Sequence, residues 1–180
     1  MSNASKILSE AGNFSYQRWK GGVWKGGNFG GTWKCGRFVN GTFHGAWHGG
    51  VWQDGEWKYG TWYGGEWRKG TWNTGTWIGG TWTSGSWVDG TWSNGLWKYG
   101  TWQDGEWKYG EWLDGIWHGG VWRCGTWHSG EWRGGTWLNG AWHNGFWIDG
   151  TWHSGTWNDG VWHDGAWRGG TWYKGYWFKG

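Results

Sequence analysis

The histidines are the residues of this chain best suited to chemistry, because imidazole can act as an acid, a base or a metal ligand near neutral pH. His44 directly follows Phe43, and each of the other histidines directly follows a tryptophan. These others are His48, His118, His128, His143, His153 and His163. Two imidazoles brought together by a twenty-residue spacing, such as His143 and His163, still fall short of the three or four ligands of a protein zinc site. We therefore interpret the histidines as surface polar residues and predict no metal site.

Other candidates for catalysis are equally sparse. The sequence contains no phosphate-binding loop, dinucleotide fingerprint, nucleophile elbow, HExxH pair or EF-hand loop. Carboxylates such as Asp54 and Asp164 lie beside glycines in turn-like pairs, and Cys35 and Cys124 form no CxxC pair. The sequence predicts no catalytic residue, no cofactor and no enzyme.

Composition limits the class of protein. The 180 residues include 43 Gly, 30 Trp and no Pro, so aromatic rings must fill any core. Residues 1–45 carry six basic groups and one acidic group, a balance that suits an acidic partner or nucleic acid, although a solvated surface explains it more simply. No apolar run is long enough for a signal peptide or a membrane helix. We expect a soluble, non-secreted protein, in the cytoplasm or within a virus particle.

A five-residue repeat organises the chain. From Gly45 to Lys179 the sequence follows G-x-W-x-x through 27 units, and the same register extends back to Gly12 for 34 units in all. Two of the early units, residues 27–30 and 41–44, are one residue short. The third position is Trp in 30 units and Phe in four, so every tryptophan of the chain occupies one register. Such uniformity indicates a repeated internal slot.

Each unit predicts a short strand followed by a turn. Thr and Val before Trp favour extended backbone, and the pairs DG, NG, SG and GG favour a turn with positive φ at glycine. Four glutamates precede a tryptophan that is followed by Lys or Arg, as in Glu56 and Lys58. Positions i and i+2 share a face of a strand, so the charged pairs mark the wet face and Trp points inward. The predicted core ladder includes Trp52, Trp57, Trp62, Trp67, Trp102, Trp122, Trp142 and Trp162.

The triplets GNF, GTF and GTW resemble the small–polar–large triplet of the pentapeptide-repeat family. The resemblance covers residues 12–180 and implies an all-β, right-handed, four-sided β-solenoid with one unit per side and twenty residues per coil. Trp in place of Leu or Phe, with Gly in place of Ala, is then a volume-compensating exchange. In this geometry Cys35 and Cys124, eighteen units apart, would lie on opposite sides and could form no disulfide.

An antiparallel β-meander of short hairpins is the alternative. Asn-Gly and Asp-Gly favour two-residue hairpins, and GEWKYG resembles part of a MORN repeat. A single-layer meander would leave thirty indole rings on an exposed face, which soluble proteins avoid. The solenoid buries the rings, but each indole N–H then needs an acceptor, for which turn carbonyls are the candidates.

The two ends differ in character. Residues 1–11 include the segment ASKILSEA, which predicts a helical cap over the first coil of a repeat domain at residues 12–180. At the other end Tyr173, Tyr176 and Phe178 occupy positions that should face outward. We expect these three residues to form an interface, either with a second copy or with a larger protein assembly.

The favoured function is a non-enzymatic structural protein, a rigid rod or spacer in a larger particle, with a virion as one setting by analogy. A binding module is the alternative, in three forms. Pentapeptide-repeat proteins that mimic DNA act on type II topoisomerases, but this mimicry uses an acidic surface. Carbohydrate binding would use exposed tryptophans. Ice binding would use a file such as Thr61, Thr81 and Thr101, which twenty-residue spacing places on one face.

Overall fold

A computed structural model of the chain describes residues 12–179, with side chains from residue 18 onward, and these residues form 30 β-strands and no helix. The helical cap predicted for residues 1–11 lies outside the described residues. The strands are β1 Gly12–Trp19, β2 Val23–Trp24, β3 Gly27–Trp33, β4 Arg37–Phe38, β5 Thr42–Trp47, β6 Val51–Trp52, β7 Glu56–Trp62, β8 Glu66–Trp67, β9 Thr71–Trp72, β10 Thr76–Trp77, β11 Thr81–Trp82, β12 Ser86–Trp87, β13 Thr91–Trp92, β14 Leu96–Trp97, β15 Thr101–Trp102, β16 Glu106–Trp107, β17 Glu111–Trp112, β18 Ile116–Trp117, β19 Val121–Trp122, β20 Thr126–Trp127, β21 Glu131–Trp132, β22 Thr136–Trp137, β23 Ala141–Trp142, β24 Phe146–Trp147, β25 Thr151–Trp152, β26 Thr156–Trp157, β27 Val161–Trp162, β28 Ala166–Trp167, β29 Thr171–Trp172 and β30 Tyr176–Trp177.

The strands stack in parallel as a β-solenoid, which confirms the predicted fold class and shows the antiparallel meander to be wrong. From β10 to β27 each strand pairs with the strands three before and three after it, as in β10 with β13 and β12 with β15. In the early coils one long strand spans two sides, so the paired strands are two apart, as in β1 with β3 and β2 with β4. From Trp47 onward the register joins each tryptophan to the one fifteen residues on, for example Trp77 to Trp92. The short units reduce the separation to fourteen in the early coils, as in Trp19 with Trp33. A coil therefore holds three units, and the chain makes about 11 coils. At a strand spacing of about 4.8 Å the rod is about 50 Å long.

The coil has three sides, so the expected four-sided cross-section is wrong. The volume of the indole rings explains the difference. Within one coil each indole meets the next edge-on, with centroids 6.0 Å apart and planes at 74° for Trp77 and Trp82. Three rings in this arrangement fill the interior of a triangular coil, since a wider coil would leave space that close packing does not tolerate. The hand of the coil stays a prediction.

We number the three sides of the rod by their strands. Face 1 is the 11-stranded sheet, from β2 to β29. Face 2 runs through the first parts of β1, β3, β5 and β7 and continues as β9, β12, β15, β18, β21, β24, β27 and β30. Face 3 runs through the second parts of β1, β3, β5 and β7 and continues as β10, β13, β16, β19, β22, β25 and β28.

Backbone hydrogen bonds between coils follow one rule. The residue before each tryptophan donates its N–H to a turn glycine one coil back, as from Thr91 to Gly75 at 2.9 Å. The residue after each tryptophan donates to the tryptophan carbonyl one coil back, as from Ser93 to Trp77 at 2.7 Å. Every unit thus contributes two ladder bonds, and the polar backbone of a very short strand is satisfied.

The core is a continuous aromatic column. The third-position ring of every unit from Trp19 to Trp162 is buried, and these rings include all eight of the tryptophans named above as the core ladder. Rings on adjacent coils lie face to face, with centroids 4.7 Å apart in the pair Trp87 and Trp102. The interior therefore consists of three stacks of parallel rings, each stack edge-on to its neighbours.

Turn glycines are needed for two reasons, which Gly80 illustrates. Its φ is +116°, a conformation that side-chain-bearing residues rarely adopt. A Cβ at this position would also lie 2.5 Å from the carbonyl oxygen of Gly65 on the preceding coil. The nearest obstacle is backbone rather than an indole, so coil-to-coil approach, more than room for the ring, requires glycine here.

The two shortened units lie in the early coils, at a corner where the strand is continuous. Residues 27–30 lie within β3 and residues 42–44 within β5, where the strand continues from face 2 to face 3 without a break. The side chain of His44 fills the space over Gly30, where a Cβ would lie 2.3 Å from the His44 Nε2 atom. Residues 12–16 and 56–59, which belong to full-length units, also lie in continuous strands, β1 and β7, and the register of β5 against β7 shifts between Phe43 and His44. Phe43 stacks on Phe29 and on Trp57 of the adjacent coils, so the ring column is continuous here.

Candidate interaction surface

The histidines lie on the outside of the rod, but their neighbours differ from those expected. His143 stacks on His128 of the preceding coil, with ring centroids 5.2 Å apart and planes 9° apart. His163 lies on another face, where its ring is 5.9 Å from that of Phe178. The expected pairing of His143 with His163 is wrong because it assumed twenty residues per coil. Within residues 12–179 no group of three or more His, Cys, Asp or Glu residues could hold a metal ion.

The cysteines share a corner of the rod instead of lying on opposite sides. Eighteen units equal six coils of three units, so Cys35 and Cys124 lie about 29 Å apart along the axis at a strand spacing of about 4.8 Å. Both thiols are free. The expected absence of a disulfide thus follows from distance along the rod, and the reason given by the four-sided geometry is wrong.

Carboxylates at the corners brace turns. Asp54 and Asp164 each accept a hydrogen bond from the N–H of the following glycine, at 2.7 Å and 2.8 Å. The Gly165 N–H and then the charge of Lys179 lower the pKa of Asp164. These side chains replace the missing backbone partners of tight turns, which explains the frequent Asp-Gly and Asn-Gly pairs.

Ion pairs mark the outer surface as predicted. Within single units Glu56 contacts Lys58 at 2.5 Å, and Glu131 contacts Arg133 at 2.6 Å. Pairs between coils were not predicted: Arg123 reaches back to Glu106, and Lys174 to Asp159 at 2.8 Å. Finding these from sequence requires the coil length. Exposed pairs of this kind are screened by solvent and contribute little to stability, so they indicate mainly which side of the strand faces water.

The indole N–H groups aim at the turn of the next coil. Trp52, Trp137 and Trp142 donate to the carbonyl oxygen seventeen residues on, with N–O distances of 3.1–3.2 Å. The 16 tryptophans from Trp57 to Trp132 have no hydrogen-bond partner at Nε1. The acceptor is thus the turn carbonyl that the sequence suggested, but few of the rings reach it. Ring burial of about 4–6 kcal/mol per tryptophan is the term that offsets the unmade bonds.

The three predicted interface residues are all exposed but do not form one patch. Tyr173, Tyr176 and Phe178 are 69%, 73% and 68% exposed. Tyr173 follows β29 on face 1, whereas Tyr176 and Phe178 flank Trp177 on face 2. In the last coil Trp167 and Trp172 are half-buried and Trp177 is 43% exposed. This coil therefore presents both outward aromatics and the edges of its inner rings.

Face 2 carries further apolar side chains that the sequence interpretation missed. Phe146 and Ile148 are 56% and 38% exposed, and Phe146 pairs in register with Val161, which pairs with Tyr176. In the sequence these apolar residues occupy outward positions fifteen residues apart. This spacing indicates a shared face only when the coil is known to contain fifteen residues. Thr61, Thr81 and Thr101, expected on one face, lie on three different faces for the same reason.

A shallow groove of about 430 Å³ lies at a corner between faces 3 and 1. Its side chains come from adjacent coils and comprise Asn94, Leu96, Tyr109, Glu111 and Thr126. It combines one aromatic ring with an amide, a carboxylate and a hydroxyl, which can bind an amphipathic ligand.

Within residues 12–179 no helix is long and apolar enough to cross a membrane. A comparison of the chain with protein-family models and with curated proteins gives no match. The unit length of five and the parallel solenoid agree with the pentapeptide-repeat resemblance, whereas the three-unit coil departs from it.

Proposed function

We propose that this protein is a rigid structural rod that acts as a spacer in a larger assembly and makes contact through its last coils. The observation that carries the proposal is the aromatic core, which is buried without interruption from Trp19 to Trp162. A filled core of stacked rings resists bending, because interiors at close-packed density deform little.

The partner in this proposal is a second copy or a neighbouring protein of a particle such as a virion. Support comes from the outward positions of the last coil, where Tyr173, Tyr176 and Phe178 are 69%, 73% and 68% exposed. Exposed aromatic side chains such as Tyr176 and Phe178, which share face 2, are typical of protein–protein contacts. We further propose that the chain is a divergent relative of pentapeptide-repeat proteins, alike in unit and different in cross-section.

Rigidity is tested with spin labels on the two native thiols. Labels at Cys35 and Cys124 should give a single narrow distance distribution near 29 Å, plus the reach of the labels, by pulsed electron paramagnetic resonance. A broad distribution would contradict a rigid rod. A Cys35→Ser protein, labelled once, provides the background signal.

Assembly is tested in the cells that naturally make the protein. The native protein should sediment in a complex larger than the purified chain at the same concentration. Purified protein carrying Tyr173→Ser, Tyr176→Ser and Phe178→Ser should fail to enter that complex when added in trans. Identical sedimentation of native and purified wild-type protein would contradict a role in a larger assembly.

Carbohydrate binding is a second candidate, favoured by the groove at Tyr109. Burial of the indoles removes the tryptophan-based site, but Tyr109 offers a ring for sugar C–H groups while Asn94, Glu111 and Thr126 offer partners for hydroxyls. Calorimetric titration with an oligosaccharide panel should show binding that Tyr109→Ala abolishes and Tyr99→Ala, an exposed tyrosine outside the groove, preserves. Absence of binding at millimolar sugar would exclude this function.

A further inference from the structure

We propose that the last three coils of face 2 form a self-complementary interface through which two rods associate side by side and antiparallel. The choice of a second copy as the partner rests on the proposed function. The surface used and the relative orientation of the two rods are new here. The surface consists of Phe146, Ile148, Val161, Tyr176 and Phe178, and we call it the face 2 patch.

The face 2 patch occupies outward positions of three adjacent strands, and the exposed ring of His163 lies between Ile148 and Phe178, 5.9 Å from the Phe178 ring. The residues of the patch flank Trp147, Trp162 and Trp177 on three strands paired in register, so successive pairs are about 4.8 Å apart along the rod. The coil before the patch carries the ion pair of Glu131 and Arg133 at the same positions. The apolar surface thus has a charged boundary on the side of the preceding coils.

The exposed area suits a weak dimer. Aromatic side chains have about 150–250 Å² each, so the exposed fractions of Phe146, Tyr176 and Phe178 amount to about 300–500 Å². Ile148, Val161 and polar groups at the rim add to this. The total is below the roughly 800 Å² per partner of a standard stable interface, which indicates a transient association.

Charges at the rim distinguish the possible orientations. The corner that precedes the three strands carries Asn144, Asp159 and Lys174, and the corner that follows them carries Asp149, Asp164 and Lys179. Two faces packed against each other can be related by a two-fold axis along the rods or by one along the strands.

Parallel rods bring like charges together. A two-fold axis along the rods keeps the coils of the two copies level. It places the corner that precedes the strands in one copy against the corner that follows them in the other. Asp164 then faces Asp159, and Lys179 faces Lys174. Like-charge juxtaposition disfavours this packing.

Antiparallel rods bring opposite charges together at the corner that follows the three strands, and at the corner that precedes them Lys174 faces the neutral Asn144. An axis along the strands through Val161 places Lys179 of one copy against Asp149 of the other, twice by symmetry. Phe146 and Ile148 then oppose Tyr176 and Phe178. At the centre Asp159, Asp164 and His163 face their own counterparts, and in both packings each aspartate keeps its in-chain lysine, Lys174 at 2.8 Å or Lys179 at 3.6 Å. The orientations differ because the parallel packing also sets lysine against lysine and has no contact between opposite charges.

Sedimentation velocity of the purified chain over a range of concentrations tests the proposal. We expect a monomer–dimer equilibrium with a dissociation constant of about 10–100 µM at low salt. Phe146→Ser with Ile148→Ser should raise that constant at least tenfold. Matched controls are Tyr99→Ser and Ile78→Ser, which remove exposed apolar side chains elsewhere and should leave it unchanged.

A charge swap tests the orientation. Lys179→Glu alone and Asp149→Lys alone should each weaken the dimer, and the two together should restore it. The turn tolerates the second change, because Lys69 occupies the corresponding position before a turn glycine. Failure of the double variant to recover would contradict the antiparallel arrangement, since only that orientation joins these two positions.

Two outcomes would overturn the proposal as a whole. A chain that stays monomeric at about 200 µM has no such interface of useful strength. A dimer that Tyr173→Ser abolishes and Phe146→Ser with Ile148→Ser preserves would place the contact on the end of the rod; self-association would then stand and the face 2 patch would not be its site.

Discussion

The indole of Trp77 lies parallel to the indole of Trp92 on the next coil, with ring centroids 4.7 Å apart and planes 6° apart. The same Trp77 ring meets Trp82 of its own coil edge-on, with planes at 74°. Each ring therefore contacts others through both its face and its edge, the two arrangements that the aromatic quadrupole favours. Every interior ring packs against rings of the coil before and the coil after it, so no coil has a core separate from those of its neighbours.

Removal of an interior ring should destabilise the rod strongly. Trp92→Ala leaves a cavity between two stacked neighbours and should lower the free energy of unfolding by about 3–5 kcal/mol. Trp177→Ala should cost less, about 2 kcal/mol, because 43% of this residue is already exposed and its removal leaves no enclosed cavity. Urea denaturation followed by far-ultraviolet circular dichroism measures both. An equal loss of unfolding free energy in the two variants would contradict the idea that stability comes from rings buried between two stacked neighbours.

Adjacent glycines at one corner should respond oppositely to alanine. Gly80→Ala places a methyl group 2.5 Å from the Gly65 carbonyl oxygen in a strained conformation, so we expect a loss of at least about 2 kcal/mol. Gly79→Ala meets nothing closer than 4.0 Å and restricts only the unfolded chain, so it should be neutral or stabilise by up to about 1 kcal/mol. Thermal unfolding of the two variants distinguishes them, and a tolerated Gly80→Ala would refute the tight contact between coils.

Iodide should quench tryptophan fluorescence weakly. The rings from Trp19 to Trp162 are buried, and only Trp177 is classed as exposed. A Stern–Volmer plot should curve downward, with most of the emission inaccessible, and Trp177→Phe should remove part of the accessible fraction. Strong quenching of the total emission in the folded protein would contradict a ring-filled interior.

His48 should report the positive potential at the start of face 3. Burial, followed by the charges of Lys34 and Arg18, lowers the pKa of this imidazole below 6.5. The unfolded chain then binds the proton more readily, so this residue's contribution to stability is present above pH 6.5 and is lost as the pH falls through the lowered value. Nuclear magnetic resonance titration of the His48 ring measures the pKa directly.

Lys34→Gln should raise the pKa of His48, because one of the two neighbouring positive charges is removed. Added salt should raise it in the wild-type protein by screening the same charges. Lys98→Gln, on another face and several coils away, is the matched control and should have no effect. If neither Lys34→Gln nor added salt changes the pKa of His48, these charges do not influence its titration.

The local conformation could be predicted from sequence, and the closure of the coil could not. The order of Thr, Trp and Gly in each unit specifies a strand, an inward ring and a turn, and each feature is visible within five residues. The number of units per coil depends on how indoles such as Trp77 and Trp82 pack against each other, which no single unit encodes. One signal was available: the short units at residues 27–30 and 41–44 are three units apart, as corners on adjacent coils must be.

The candidate surface depended on that same number. Tyr173, Tyr176 and Phe178 were identified from their outward positions, but their division between faces 1 and 2 needed the fifteen-residue coil. Phe146 and Ile148 were missed because, at twenty residues per coil, they would not lie in line with Val161 and Tyr176. The wrong predictions for the neighbour of His143, the face of Thr81 and the relative position of the two cysteines all result from the assumed twenty-residue coil.

The three-unit coil also constrains how the gene can change in length. Gain or loss of a single five-residue unit would turn every downstream side chain by a third of a revolution and scatter whatever the outer surface had assembled. Gain or loss of fifteen residues would alter only the reach of the molecule. Duplication in steps of three units is therefore the route by which such a protein can lengthen while keeping its surfaces aligned.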